Sequence, residues 1–254
     1  MVTVQDVYDF LDTLAPFASQ LSFDNSGLLV GSGGAYTEHI GVCLDITPDT
    51  IEQASEADVD LIVSHHPVLF KARKKLVPHD PAYMLVSRGI RAICTHTCFD
   101  SAAGGVNDVL AELFRLSRAE AVTLPSLPSA MVRVGFLPET VRAVELAANA
   151  AEVLSARVRW CDGGKPVETL AVCGGSGGDL VEDIAALGVD ALLTGDAGYH
   201  DFLDAEQLGL TLIAAGHFET ENPAMPVLCR KLRAQFPHLK VTLLRQKKTI
   251  QHIG

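Results

Sequence analysis

The sequence predicts an α/β protein of two βα-repeat lobes with largely parallel sheets. Three observations carry that reading. Short aliphatic runs alternate with stretches whose apolar residues return at helical spacing. The runs stop at turn residues or polar side chains at strand length. The stretch LPSLPSAM (124–131), with Pro125 and Pro128, interrupts the series once and is the best candidate linker. The chain is thus read as one unit, 1–254, with approximate lobes 1–125 and 126–254. The last strand is expected to return to the first lobe.

The first helix lies in VTVQDVYDFLDTLAPFA, where Val4, Val7, Tyr8, Leu11 and Leu14 share a face and Thr3 with Asp6 offers a capping box. SFDNSGLLVGSGG reads as a turn-rich loop. HIGVCLDIT is a strand, PDTIEQASEA a helix with Pro48 in its first turn, and DLIVS a strand. Helix PAYMLVSRG, strand IRAICTH and helix VNDVLAELFRLS complete the first series. The second series runs from strand VRVGFL through a helix near 139–155 to strands ARVRW and ETLAVC. Helix GDLVEDIAALG, strand DALLTG, helix YHDFLDAEQLG and strand LTLIAAG follow. A helix near 217–235 and strand KVTLLR end the chain.

Composition narrows the function classes. Lys and Arg total 20 against 31 Asp and Glu, a net charge of −11, which argues against a general nucleic-acid binder. The six cysteines (43, 94, 98, 161, 173 and 229) form no CxxC pair and fall in or beside apolar strands, as reduced thiols do. The N-terminus lacks a basic region ahead of an apolar run, and no segment is long enough to span a bilayer. A cytoplasmic location is expected.

Chemistry-bearing side chains gather where strands end, the place where open α/β sheets bind ligands. His65 and His66 follow LIVS, and Pro67 bars further strand. His96 and Asp100 follow IRAIC, and His217 and Glu221 follow LTLIAA. Taken singly, each pair has an ordinary structural explanation as a strand cap, a turn residue or a surface pair. Jointly, imidazole and carboxylate donors at three strand ends point to metal. Three histidines with two carboxylates exceed the ligands of one catalytic zinc and suit two ions sharing a carboxylate and water. Such donors fit Zn, Fe, Mn, Co or Ni, and the chemistry implied is hydrolysis. Asp100, offering two oxygens, is expected to bridge. The basic run in FKARKK (Lys71, Arg73, Lys74, Lys75) could orient an anionic substrate, and His200 or Glu219 could relay a proton. His39, His79, His238 and His252 have no partner pattern.

FDNSGLLVG, SHHPVLF, THTCFDSAAGGVND, CGGSGG, TGDAGYHDFLDA and GHFETE, in that order over roughly residues 23–222, resemble the Nif-three-like family, also called GTP cyclohydrolase I type 2. The resemblance implies a dinuclear metal centre between lobes on His65, His66, Asp100, His217 and Glu221, with His96 a ligand or its neighbour; His96 and His200 are the catalytic candidates. It also implies a toroidal homohexamer of the short form, acting on a small anionic substrate that could be GTP. Phe23 stands where the family usually has tryptophan, and Cys98 where asparagine is usual.

A rival reading uses CGGSGG as a G-x-S-x-G nucleophile elbow, with Ser176, Asp196 and His217 in hydrolase order. It leaves His65, His66 and Asp100 without a task. A non-catalytic metal-holding scaffold is the third class.

Overall fold

The computed structural model describes residues 1–250; His252 lies outside them. The chain divides into two compact units, Met1–Phe99 together with the chain from Ala224 onward, and Asp100–Pro223. The division does not fall at the proline-bearing stretch 124–131. That stretch turns Ser117–Val122 back onto Val132–Val141, with which it pairs antiparallel.

In the first unit the sheet runs in the order Lys240–Leu243, His39–Cys43, Leu61–Ser64, Arg91–Cys94 and Gly27–Val30. Its first three pairings are parallel, so the C-terminal strand does return, beside His39–Cys43. Gly27–Val30 pairs antiparallel with Arg91–Cys94, a strand hidden in what reads as a loop. His39–Cys43 and Leu61–Ser64 are buried throughout, which a parallel sheet covered on both faces requires. Helix Val4–Leu14 starts on the Thr3–Asp6 capping box and buries Val4, Val7 and Leu11. Helix Pro48–Glu56 is capped by Thr47 and buries Thr50, Ile51 and Ala54.

The second unit departs from the expected parallel sheet. Its order is Ser117–Val122, Val132–Val141, Val167–Ser176, Ala191–Asp196, Thr211–Ala214 and Arg159–Cys161. Only Val167–Ser176 with Ala191–Asp196, and the latter with Thr211–Ala214, are parallel. The hairpin across 124–131, the return from Val132–Val141 to Val167–Ser176 and the edge strand Arg159–Cys161 make the remaining pairings antiparallel. Alternate residues feed two cores. Leu170, Val172, Leu193 and Ile213 face one side, Ala171, Cys173, Leu192 and Leu212 the other.

The helix expected near 217–235 is two, His217–Glu221 and Ala224–Gln235. Pro223 has no N–H to donate, so the helical hydrogen-bond ladder is interrupted there although Asn222 keeps helical dihedrals. Among the described residues no helix is long and apolar enough to cross a membrane.

Candidate metal centre

Strand Leu61–Ser64 delivers the first imidazoles. Beyond its end the ladder continues, with His65 N–H donating to the Cys43 carbonyl at 3.2 Å and His66 N–H to Leu44 at 2.9 Å. His65 is fully buried and places Nδ1 2.9 Å from the Thr95 carbonyl. A carbonyl only accepts, so Nδ1 carries the proton and Nε2 presents a lone pair. His66 Nδ1 lies 2.7 Å from Asp45 Oδ1, and His96 Nδ1 lies 2.9 Å from Asp24 Oδ1. In all three rings the same nitrogen is taken by an oxygen, the arrangement that orients metal-binding histidines. The three rings cluster with centroids 5.0 to 5.5 Å apart, and a donor atom of each lies within 4.8 Å of the others.

Asp24 anchors this cluster. Its Oδ2 accepts from Thr97 N–H at 3.0 Å, Thr97 Oγ1 at 2.5 Å and Ser26 Oγ at 2.9 Å. Burial opposes its ionisation, but the hydrogen bonds from His96, Thr97 and Ser26 outweigh burial and hold the carboxyl well below its usual range.

The second unit has its own pair of carboxylates. Asp100 is buried on helix Thr97–Ser101, with a carboxylate oxygen within 4.8 Å of one from Glu221. Arg133, itself buried, donates to the Ser101 carbonyl at 3.0 Å and to Ala102 at 3.3 Å, and pairs with Asp108. Asn107 donates to the Asp100 carbonyl at 3.1 Å and accepts from Gly174 N–H at 2.7 Å. His217 repeats the pattern of the first unit: Nδ1 lies 2.7 Å from Asp196 Oδ2, and Nε2 lies 3.2 Å from Glu221 Oε1. The four-residue spacing puts His217 and Glu221 on one face of helix His217–Glu221.

CGGSGG has a packing role here. Gly175 has φ +69°, and a Cβ there would stand 2.3 Å from Glu221 Oε1, so only glycine lets the carboxylate sit against the turn. Ser176 Oγ donates to Asp196 Oδ2 at 3.4 Å, while both nitrogens of His217 are engaged, by Asp196 and Glu221. The expected Ser–His step of a hydrolase triad is therefore replaced by a Ser–Asp contact.

Three buried thiols are held protonated. Burial pushes the Cys43, Cys94 and Cys173 thiols far above their ordinary value, and Cys94 donates to the His65 carbonyl. His200 lies exposed on helix Tyr199–Gln207, its ring 5.5 Å from that of Tyr199; it is not among the histidines whose donor atoms converge. In the basic run, Arg73 is tied to Asp80 at 2.7 Å. The residues that the sequence reading missed are the orienting partners Asp24, Asp45 and Thr95, and the role of Asp196. Thr95 follows a strand end directly, Asp45 stands two residues past one and Asp196 ends a strand, a signal as available as the histidines' own.

The Duf34/NIF3 (NGG1p interacting factor 3) family model matches residues 2–249. A protein of Clostridium acetobutylicum called GTP cyclohydrolase 1 type 2 homolog is 31% identical over 238 residues, covering 90% of this chain and 89% of its own. A Helicobacter pylori protein called GTP cyclohydrolase 1 type 2 is 31% identical, with 100% of both chains covered. Among solved structures, Staphylococcus aureus hypothetical protein SA1388 superposes with a TM-score of 0.90 at 22% identity, covering 99% of each chain. A Bacillus cereus protein related to NIF3 superposes with a TM-score of 0.88 at 18% identity, again over 99% of each. The matched span and the shared fold agree, and this chain belongs to the Duf34/NIF3 family.

Proposed function

We propose that this protein holds two divalent metal ions on His65, His66, Asp100, His217 and Glu221 and hydrolyses a small anionic substrate, a nucleotide, phosphoester or cyclic amide. One observation carries the reading. Each imidazole of the set, and His96 beside it, has Nδ1 held by a carboxylate or carbonyl, so Nε2 is the nitrogen assigned to metal; on His217 that nitrogen also faces Glu221 Oε1 at 3.2 Å. Imidazole and carboxylate donors suit Zn, Fe, Mn, Co or Ni. Bound divalent ions lower the pKa of coordinated water and polarise a carbonyl or phosphoryl oxygen.

The chain's own residues do the rest. Asp24, Asp45 and Asp196 hold the rings in one tautomer and one direction. Asp100 offers two oxygens and is assigned the bridge. His96, held by Asp24, is assigned the proton transfer, at Nε2. His200 is assigned a substrate-facing role. GTP is one candidate substrate, supplied by the relatives' name. Assembly into a toroidal homohexamer is part of the proposal and is checked by sedimentation velocity. No binding to duplex DNA at physiological salt is expected.

Elemental analysis of purified protein tests the ligands. His65→Ala and Glu221→Ala should each lose metal, and Asp100→Asn should lose both ions together. Wild-type metal content in the first two sinks the assignment. Chelation should abolish turnover on a panel of nucleotides, phosphoesters and cyclic amides, and added Zn, Mn or Fe should restore it, with Ser176→Ala nearly unaffected. Ions bound without any turnover would leave a metal-holding scaffold.

A further inference from the structure

Beside the histidine cluster stands an aromatic ladder that the ligand assignment does not use. The Phe70 ring lies 6.1 Å from His96 and perpendicular to it, and the Phe23 ring lies 6.3 Å from Phe70 at 63°. The ladder ends in solvent, with Phe23 61% and Phe70 43% exposed. Single exposed apolar residues are ordinary, but these two are paired and rigidly mounted. Phe23 precedes Asp24, whose carboxylate is locked by His96, Thr97 and Ser26, and Asp24 N–H closes a turn onto Leu21 at 2.9 Å. Asn25 donates to the Leu69 carbonyl at 2.5 Å and so pins the backbone next to Phe70 to the same turn. The Asp24 side chain is buried and bonded and Asn25 is bonded, while the two rings are left facing water. Fixing backbone under an exposed ring gives up conformational entropy with no burial in return, which a ligand's flat face would supply. Lys71 and Lys74 are exposed on the segment that follows Phe70 and are the cations nearest to it in sequence.

We propose that Phe23 and Phe70 form a stacking platform for a planar heteroaromatic ring carrying phosphates, a nucleotide whose base rests on the two rings while Lys71 and Lys74 meet its phosphates. This rests on the proposed hydrolase reading and names the substrate class for it. Aromatic rings bind any base through its π-face, so the platform selects a flat ring more than a particular base. The phosphates supply attraction that falls with salt.

Titration calorimetry of the metal-loaded protein with GTP and, separately, inorganic triphosphate tests the assignment. Phe23→Ala and Phe70→Ala should each weaken GTP binding roughly tenfold while leaving triphosphate binding unchanged. Lys71→Ala with Lys74→Ala should weaken both ligands. Phe70→Leu, which keeps an apolar side chain without a stacking face, separates stacking from packing and should behave like Phe70→Ala. Metal content is measured in every variant and should stay at the wild-type level. GTP affinity unchanged in both phenylalanine variants overturns the platform, and so does triphosphate binding lost in parallel with GTP. Loss of metal in His65→Ala tests the metal reading separately, so either idea can fail alone.

Discussion

His217 stands between two carboxylates, Nδ1 2.7 Å from Asp196 and Nε2 3.2 Å from Glu221. Asp196 is half-exposed and Glu221 is buried. The outer carboxylate fixes the tautomer, and the inner one shares whatever Nε2 faces. Asp196→Asn keeps the shape but can offer an N–H where the imidazole N–H must donate. Metal affinity should fall roughly 10- to 100-fold with little change in melting temperature, since the side chain is not part of a core. Competition against a chelating dye measures it. A variant that loads metal like the wild type would remove Asp196 from the site.

Arg133 is the buried cation behind Asp100. It donates to carbonyls 101, 102, 130 and 131 and pairs with Asp108, so removing it takes this donor from four carbonyls and the ion-pair partner from a carboxylate. Arg133→Met should destabilise the protein by on the order of 3 kcal/mol in urea unfolding. An unchanged midpoint would show that the network contributes little.

The clustering of His65, His66 and His96, and the pairing of His217 with Glu221, were legible because strand ends concentrate function and histidines are rare residues in conspicuous places. Their orienting partners were less legible. Asp24 reads as a turn residue, and only tertiary contact 72 positions away ties it to His96. The parallel core of both units followed from the aliphatic runs. The antiparallel strand Ser117–Val122 did not: five of its six residues are exposed, so SRAEAV carries no burial pattern. Gly27–Val30 is four residues between turn formers, too short for periodicity to register. The break at Pro223 was available from the proline itself, but the helical spacing on either side concealed it.

Asp190 should give the second unit a measurable acid sensitivity. Burial raises its pKa, but Lys165 at 2.9 Å and the Thr169 and Glu168 donors outweigh burial and bring it below the ordinary 3.8. The folded carboxyl therefore holds its proton less tightly than the unfolded one, and unfolding in acid takes up a proton. The stabilisation is complete above the unfolded value and is lost as pH falls through the folded one. In urea titrations the gap between wild type and Asp190→Asn should be widest near about pH 6 and narrow by about pH 3. A gap constant across that range would contradict the shift.

Gly195 is the tightest point under His217. A Cβ there would lie 2.5 Å from the Gly175 carbonyl oxygen, 2.7 Å from Thr220 Oγ1 and 2.8 Å from His217 Cα. Two of those atoms are backbone, so no rotamer change makes room and the turn that carries His217 has to move. Gly195→Ala should cost about 1–3 kcal/mol by overpacking and should also weaken metal binding by displacing the imidazole. Gly188 is the contrast. Its φ of +74° strains any side chain, but nothing lies within 4 Å of its Cβ position. Gly188→Ala should therefore cost about 1 kcal/mol and leave metal binding untouched. Urea midpoints and metal titrations on the pair separate crowding from backbone strain. Equal effects on metal binding in the two variants would mean that Gly195 does not position His217.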